Sequence, residues 1–374
     1  MSLLKRTKSK YYSLSNILEK KADYNIIIGE RSNGKTYATL LYGIERYIKT
    51  GEQFAYIRRW REDLRGKRAE SLFANHVANG VITKLTNGKY NEIFYLSGKW
   101  FLSYYDRDKN KRYPDNTPMC YGFCLSETEH DKSTSYPLVT TVIFDEFLTR
   151  RIYLPDEFML FMNTLSTIIR QRTNVKVFML GNTVNRFCPY FQEMGLKNVP
   201  NMKQGTIDIY RFGEHGATVA VEYCATVSAN KESNKYFCFD NQNLQMITGG
   251  KWELAVYPHL PRKYKPKDVL FVFYIVFNDT ILQGNIIQVD NDNFCYIHQK
   301  TTPIKDLDNS LIYSLEMNGK PNFKRKLISN ASYIETQISR YFATDKVFFQ
   351  SNEVGEIVRN YLLNSARTNI VSLK

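Results

Sequence analysis

The residues whose types and spacing point most directly to chemistry lie in the segment IIIGERSNGKTYA, residues 26–38. They follow the spacing G-x-x-x-x-G-K-[ST], in which backbone N–H groups wrap the β-phosphate of a nucleotide. In such a loop the lysine, here Lys35, bridges β- and γ-phosphate oxygens, and the hydroxyl of Thr36 binds Mg²⁺. The spacing therefore predicts a site for ATP and Mg²⁺ whose loop residues are Gly29, Asn33, Gly34, Lys35 and Thr36.

Two adjacent acids follow a second apolar run, in the segment TVIFDEF at residues 141–147. A carboxylate at the tip of a buried strand is the expected partner of the nucleotide's metal ion, so we assign Asp145 to Mg²⁺. Glu146 can polarise an attacking water, and a metabolite kinase needs no such group because its nucleophile is the substrate. The pair therefore favours hydrolysis of ATP and predicts Glu146 as the catalytic base.

A polar residue also ends the next apolar run, VFMLGN, at Asn182. Its amide could sense the γ-phosphate or orient the water, and an asparagine could equally well turn the chain after a strand. The segment between these two runs ends in two cations, Arg170 and Arg172. Mechanical ATPases often complete a site with an arginine from a neighbouring subunit, whereas cations at a helix end also complement the helix dipole. The sequence leaves both pairs of alternatives open.

The chain is basic, with 51 Lys and Arg against 37 Asp and Glu and a formal net charge of +14. An excess of this sign favours a polyanionic partner such as nucleic acid. The cations of YIRRWREDLRGKRAE could form a solvated face, line a nucleic-acid channel or reach the nucleotide from a lid. The candidate DNA contacts in the basic clusters are Arg58, Arg59, Lys263, Lys265, Lys267, Lys324, Arg325 and Lys326.

Cysteine usage and hydropathy set the expected compartment. Six cysteines occur without a second C-x-x-C or His pair that would complete a zinc set, so we expect reduced, structural thiols. No run of eighteen apolar residues is present, and no secretory signal opens the chain. We therefore expect a cytosolic protein without a membrane partner.

Short apolar strands alternate with helices over the first half of the chain. This alternation predicts an α/β fold with a mainly parallel sheet and helices on its faces. The phosphate loop falls between a strand and a helix, as its mechanism requires. Predicted strands cover residues 24–28, 52–60, 138–145 and 175–182, with a hairpin at 91–106, and predicted helices cover 36–48 and 155–173.

Changes in composition and in predicted elements divide the sequence into three parts. Residues 1–205 read as a P-loop ATPase domain in which 61–136 is an inserted or lid-like region. Residues 206–250 are polar and mixed, and we interpret them as a linker subdomain. Residues 251–374 contain strands joined by tight turns and then helices, the last capped by Ser351, which predicts a smaller α+β domain.

Taken together, the segments IIIGERSNGKTYA, YIKTGEQFAYIRRW, TVIFDEF and IIRQR resemble the DNA-packaging ATPases of small short-tailed phages of the phi-29 type. The resemblance implies an ATPase of the additional-strand, catalytic-glutamate class joined to a ribonuclease-H-like domain. It implies a ring of five subunits at the portal of a phage prohead, double-stranded DNA as substrate, a possible scaffold RNA, and action in the host cytoplasm. It also makes Arg170 a trans-acting finger and gives Lys132 a second trans-acting role.

The resemblance raises the question of nuclease activity, because large terminases cut DNA with a carboxylate cluster on two Mg²⁺ ions. The strand VLFVFYIVF contains no acid, and Asp279, Asp290 and Asp292 fall in turns. We therefore interpret the second domain as a DNA-binding remnant of a nuclease. The favoured function is an ATP-driven DNA translocase that packages a viral genome. The alternatives are a helicase or recombination ATPase, a small-molecule kinase, and a structural DNA-binding protein whose nucleotide only sets its oligomeric state.

Overall fold

The computed structural model describes residues 12–127, 134–150, 153–214, 216–225, 252, 255–260, 262–278, 280–316 and 318–366. The chain forms two compact units, Met1–Glu253 and Leu254–Lys374. In the part of the chain so described, no helix is both long enough and apolar enough to cross a bilayer.

The first unit is built around a sheet whose centre is parallel. Among the described residues its strand order is β3-β4-β6-β2-β7-β8-β1-β10-β9, with β5 paired to β4. In this order, the six consecutive strands from β6 to β10 run parallel to one another. In chain order the strands are β1 Tyr24–Gly29, β2 Gln53–Arg58, β3 Glu92–Leu96, β4 Lys99–Asp106, β5 Lys111–Pro114, β6 Cys120–Cys124, β7 Val139–Asp145, β8 Lys176–Asn182, β9 Thr206–Arg211 and β10 Thr218–Tyr223.

Helices cover both faces of this sheet, so its central strands read as continuous apolar runs. The α-helices of the unit are α1 Ser15–Leu18, α2 Lys35–Thr50, α3 Gly66–Glu70, α4 Ala74–Ala78, α5 Val81–Leu85, α6 Glu157–Ile169 and α7 Pro189–Glu193. Leu40 and Ile44 of α2 belong to one buried cluster, and Phe161 and Leu165 of α6 belong to the other. The two crossover helices that flank the predicted site thus pack in different core layers.

The phosphate loop connects β1 to α2, as predicted. Gly34 precedes α2 with a φ of 94°, a conformation that a side chain would strain. Glycine is therefore required at this position of the motif.

The predicted linker subdomain at 206–250 is wrong over residues 206–223. Strand β10 lies in the ATPase sheet, parallel to β1, and β9 forms the antiparallel edge beside it. Val219 and Val221 are buried in the core, which ties this hairpin to the first unit. Residues 226–251 lie outside the described part of the chain.

The region 61–136 builds an extension of the same sheet. Its last strand, β6, pairs in parallel with β2, and β3, β4 and β5 continue the sheet in antiparallel fashion. The predicted turn at Ser97–Gly98 is confirmed, since both residues have positive φ between paired Leu96 and Lys99. Short helices α3 to α5 precede these strands, and α4 packs beside α2.

The second unit has a six-stranded sheet of order β15-β14-β11-β12-β13-β16. Strands β11 to β13 form an antiparallel meander, and β14 and β15 add in parallel beside β11. This arrangement agrees with the predicted ribonuclease-H-like architecture. The elements are β11 Val269–Phe277, β12 Thr280–Val289, β13 Asp292–Gln299, β14 Leu311–Ser314, β15 Phe323–Lys324, α8 Tyr333–Ala343, β16 Val347–Phe349 and α9 Asn352–Ser365.

Two short-range predictions for this unit, a helix cap and a tight turn, can be compared with the structure. The side chain of Ser351 accepts a hydrogen bond from the Val354 N–H and caps α9, as predicted. The turn between β12 and β13 lies one residue earlier than predicted, at Asp290 and Asn291, which both have positive φ.

Candidate active site

A cavity of about 640 Å³ opens at the carboxyl ends of β1, β7 and β8. This is the edge of an open parallel sheet at which ligands bind, and the volume lies in the range of small-molecule pockets. The residues that line it come from the phosphate loop, from the two strand tips and from α4: Ser32, Asn33, Gly34, Lys35, Thr36, Tyr37, Asn75, Asn79, Asp145, Glu146, Leu180, Gly181 and Asn182.

Lys35 is buried at the base of this cavity. Its Nζ donates to the carbonyls of Glu30 at 2.6 Å and Gly29 at 3.4 Å. It also lies 3.2 Å from both the Asn33 and the Asn182 Oδ1 atoms. Burial lowers the pKa of Lys35, while nearby anionic groups oppose the shift. The ammonium is thus held by oxygen atoms at the position from which phosphate oxygens would be contacted.

Thr36 and Asp145 face each other across the cavity. The Thr36 hydroxyl lies 3.3 Å and 3.2 Å from the two carboxylate oxygens of Asp145. Burial raises the pKa of Asp145, and the cation of Arg58 opposes that rise. Hydroxyl and carboxylate oxygens are the hard ligands that Mg²⁺ prefers. These two side chains therefore fit a metal ion without needing to be brought together.

Glu146 stands at the mouth of the cavity with 57% of its side chain exposed. Its φ of 57° places it in the left-handed region, which is unusual for a residue with a side chain. The Arg58 guanidinium lies 2.6 Å from its carboxylate. The predicted base is therefore in the cavity, and it is held by an arginine of the neighbouring strand β2.

Asn182 joins the site through its amide oxygen, which lies 3.2 Å from the Lys35 Nζ. Gly29 and Asn182 are register partners on adjacent parallel strands. The geometry brings Asn182 to the phosphate loop, so of the two alternatives it favours contact with the nucleotide over a simple strand-end turn.

The two arginines at the tip of β2 are not available to DNA in this structure. Arg58 is engaged by Glu146 and by Asp63, whose carboxylate lies 3.2 Å away. Arg59 is only 6% exposed and forms a buried ion pair with Glu157. The prediction of a DNA contact is therefore wrong for Arg59, because a buried and paired guanidinium cannot reach a phosphate.

Three residues of the site were missed by sequence reasoning. Tyr56 donates a hydrogen bond of 3.0 Å to Asp145, Asp63 holds Arg58, and Glu157 holds Arg59. Tyr56 stands two residues before Arg58 on one strand, so strand alternation could have placed both side chains on one face. Asp63 and Glu157 give no comparable signal.

The inserted region also reaches the cavity. Asn75 and Asn79 line it from α4. His76 lies between them in sequence, and its ring stacks on that of Tyr37 with 4.0 Å between centroids. Residues of the region 61–136 therefore contact the first turn of α2, which supports the interpretation of this region as lid-like.

Arg170 and Arg172 lie at the end of α6, at the opposite edge of the sheet from the phosphate loop. The chain runs from the tip of β7 through α6 to the start of β8, which places the helix end at the amino edge. Arg172 donates to the carbonyls of Ile168, Tyr136 and Pro137, and it serves as a structural cap. Arg170 is exposed, and it donates to Thr134 O at 3.0 Å. Lys132 lies outside the described residues.

The basic candidates of the second unit differ in exposure. Lys263, Lys265, Lys267 and Lys326 are exposed, and Lys324 is half-buried. The half-buried Arg325 donates to Leu315 O at 3.0 Å, which gives it a structural role.

Asp290 and Asp292 of the second unit both lie near Arg262, at 3.8 Å and 3.7 Å. Asp290 is largely exposed, and Asp292 pairs with Lys346 at 2.9 Å. Asp279 lies outside the described residues. Within the described ranges, no group of three or more His, Cys, Asp or Glu side chains could hold a metal ion.

Two solved structures resemble this chain over nearly its whole length. The structure of the bacteriophage phi-29 genome packaging motor assembly superposes with a TM-score of 0.58 at 21% identity, over 96% of this chain and 100% of that one. The phi-28 gp11 DNA packaging motor superposes with a TM-score of 0.53 at 16% identity, over 96% and 99%. These matches establish the fold.

Sequence comparison also gives DNA packaging proteins. A DNA packaging protein of Bacillus phage PZA is 27% identical over 363 residues, which cover 87% of this chain and 97% of that protein. The match to the Bacillus phage B103 protein is 33% identical over 183 residues and spans half of that protein's length. The model of the podovirus DNA encapsidation protein (Gp16) family matches residues 6–360. The chain therefore belongs to the podovirus DNA encapsidation protein family.

Proposed function

We propose that this protein is an ATP-driven translocase that packages double-stranded viral DNA into a prohead. The observation that carries the proposal is the convergence of Lys35, the Thr36–Asp145 pair and Glu146 on one cavity at the carboxyl edge of the sheet. The DNA packaging relatives supply the process in which such an ATPase works. No relative above favours a helicase.

The residues divide the work of binding and hydrolysis. The backbone of the phosphate loop and Lys35 bind the β- and γ-phosphates, and Asn33 and Asn182 hold the lysine from either side. Thr36 and Asp145 would hold Mg²⁺, which when bound would supply positive charge to the phosphate oxygens. Tyr56 orients the Asp145 carboxylate by its hydrogen bond. These contacts preorganise the site for a triphosphate.

Glu146 acts as the general base on the attacking water. Its carboxylate is exposed to the cavity, and Arg58 competes for it at 2.6 Å. A carboxylate oxygen that accepts a hydrogen bond from a guanidinium is occupied and is not free to accept a proton from water. Hydrolysis therefore requires Glu146 to leave Arg58, and the strength of this pair sets how easily the base becomes available.

The second unit and the assembly supply the grip on DNA. The exposed lysines at 263, 265, 267 and 326 contact phosphates without reading sequence. Copies of the chain form a ring of five at the phage portal, where Arg170 reaches the nucleotide of a neighbour, and a scaffold RNA is a possible further partner. The work takes place in the host cytoplasm during assembly.

Two substitutions test the core of this proposal in ATPase assays with and without double-stranded DNA. Glu146→Gln keeps size and hydrogen bonding, so it should bind ATP normally and hydrolyse it about 10²–10⁴-fold more slowly. Lys35→Ala should instead lose nucleotide affinity, which equilibrium binding of a fluorescent ATP analogue measures. Wild-type protein without DNA-stimulated hydrolysis, or a Gln variant with near-normal turnover, would contradict the assignment.

A further inference from the structure

The catalytic glutamate sits on a strained backbone that something in the fold must hold. Glu146 has a φ of 57°, and residues with side chains keep such a conformation only where their surroundings fix it. On one side, the Phe147 N–H donates to Leu180 O at 3.2 Å. A Cβ on Gly181 would come within 2.9 Å of Phe147. The segment after Glu146 is thus pressed closely against strand β8.

On the other side, a single arginine holds the same segment. Arg59 donates to the Glu146 carbonyl at 3.1 Å and to the Phe147 carbonyl at 2.7 Å. Both acceptors lie directly after the strand that ends in the metal-side acid. Only a guanidinium has enough donors, in a fixed planar arrangement, to bridge two carbonyls and an acid at once.

Arg59 is itself fixed from behind by Glu157, in the first turn of α6. The ion pair is bidentate, with distances of 2.7 Å and 2.9 Å, and Glu157 is only 3% exposed. Its carboxylate also accepts from the Tyr190 hydroxyl at 2.9 Å and from the Leu154 N–H at 2.7 Å. Each oxygen of the acid therefore has two donors, which leaves the arginine little freedom to move.

Stability alone does not account for this arrangement. A buried ion pair contributes little net stability compared with apolar side chains of the same volume, because both charges lose their hydration. The Arg59 guanidinium of this ion pair also donates to the carbonyl of Glu146, the residue that carries the catalytic carboxylate. Its location therefore points to geometry at the active site as its role.

We propose that Arg59, anchored by Glu157, is a positioning residue that fixes the backbone of Glu146 so that its carboxylate faces the bound nucleotide. The inference rests on the ATPase function proposed above. Arg58 contacts the Glu146 side chain and governs when the base is free, whereas Arg59 contacts the backbone and governs where the base points. The adjacent residues Arg58 and Arg59 thus act on different parts of Glu146, its side chain and its backbone.

The test uses Glu157→Gln in the full-length protein, because this change removes the charge and one acceptor without opening a cavity. We expect kcat for ATP to fall about 10- to 100-fold, since a base misplaced by about 1 Å loses a factor of that order. The KM for ATP should change by no more than about threefold, because Glu157 does not touch the phosphate loop. Arg59→Lys should behave similarly, since an ammonium cannot reach all three acceptors.

The chain offers a matched control in its second unit. Glu356 is 2% exposed and, like Glu157, accepts from a tyrosine hydroxyl, Tyr257 at 2.7 Å, and from an arginine, Arg359 at 3.2 Å. Glu356→Gln should lower thermal stability to a similar degree and leave kcat within about twofold of wild type. Equal kcat in the two Gln variants, whether both fall or both hold, overturns the proposal.

A double-variant cycle distinguishes positioning from a general structural effect. If Glu157 acts through the Glu146 carboxylate, adding Glu157→Gln to Glu146→Gln should slow the residual single-turnover rate by no more than about twofold, because the group it positions is already gone. A further loss equal to that seen in wild type overturns the proposal. A wild-type protein without any ATP hydrolysis would instead contradict the proposed function, so the two failures remain distinct.

Discussion

At the scale of single residues, burial disfavours the charged form of Asp145. The carboxylate is 7% exposed, and burial raises its pKa above the usual value although Arg58 lies near it. A carboxyl whose pKa is raised on folding stabilises the protein below the pKa of the unfolded chain. That stability is lost as the pH rises through the folded pKa. At neutral pH the charged acid therefore destabilises the nucleotide-free protein.

From this sign we predict that Asp145→Asn stabilises the nucleotide-free protein at pH 7.5. The gain should shrink as the pH falls toward 4, because the folded acid is protonated first and an unfolded aspartate is about half protonated near its ordinary pKa of about 3.9. Denaturant titrations of the two proteins at both pH values measure it. The same variant should lose the stabilisation that Mg²⁺ and ATP give to wild type. A variant less stable than wild type at pH 7.5 would show that the hydrogen bonds to this acid outweigh its burial.

How far the sequence reveals the site depends on how local each contact is. Lys35, Thr36, Asp145 and Glu146 stand in short motifs whose spacing predicts their roles, and the structure brings them to one cavity. The Arg59–Glu157 pair joins residues 98 positions apart, so nothing near Arg59 distinguishes a buried guanidinium from the exposed cations that follow it.

At the scale of elements, strand β2 does more than extend the sheet. It runs between β6 and β7. The residues at its carboxyl end supply the side chains that contact the acids at the end of β7. The sequence predicts this strand and its cations, and strand alternation separates Arg58 from Arg59, whereas tertiary packing decides which partners each arginine meets. The same limit explains the error at 206–223, because the β9–β10 hairpin is mixed in polarity and its pairing with β1 is a long-range event.

Gly284 offers a test of the two units as separate elements of stability. A Cβ at this position of β12 would lie 2.2 Å from the ring of Phe273, which is fully buried and cannot move aside easily. We predict that Gly284→Ala destabilises the second unit by about 2 kcal/mol through overpacking. Thermal unfolding with and without ATP should show a lower transition for that unit and an unchanged nucleotide-stabilised transition. A drop in both transitions would indicate a single cooperative molecule.

At the scale of the whole molecule, the proposed grip on DNA makes a prediction about salt. If Lys263, Lys265 and Lys267 contact phosphates, the log–log slope of DNA affinity against salt should be near −0.9 per contact. Replacing all three with Gln should reduce that slope by about two to three and spare DNA-independent ATPase activity. Filter-binding titrations over a range of NaCl concentrations measure this. An unchanged slope would move the DNA contact elsewhere.

The proposed ring makes a second prediction at this scale. Arg170 lies at the sheet edge away from its own phosphate loop, so it is placed to reach a neighbour's nucleotide. Arg170→Ala should bind ATP and hydrolyse little, since an arginine supplied in trans is worth about 10³–10⁵ in rate. Mixed with Glu146→Gln, it should regain activity at interfaces that pair an intact base with an intact arginine. Co-assembly without any recovery of turnover would return Arg170 to the role of a helix-end cation.

The position of β1 in the sheet has a consequence for how the protein is made. Residues 24–29 emerge early from the ribosome, yet their neighbours in the sheet are residues 177–182 and 219–223. The phosphate loop has no rigid base until both partners have been synthesised, and pairing over such distances in the chain is slow. During synthesis β1 must wait, with its apolar residues unpaired, until residues 177–182 and 219–223 have been made, and unpaired apolar strands are prone to aggregate. The nascent chain is therefore expected to depend on host chaperones and to acquire nucleotide binding only after its tenth strand has left the ribosome.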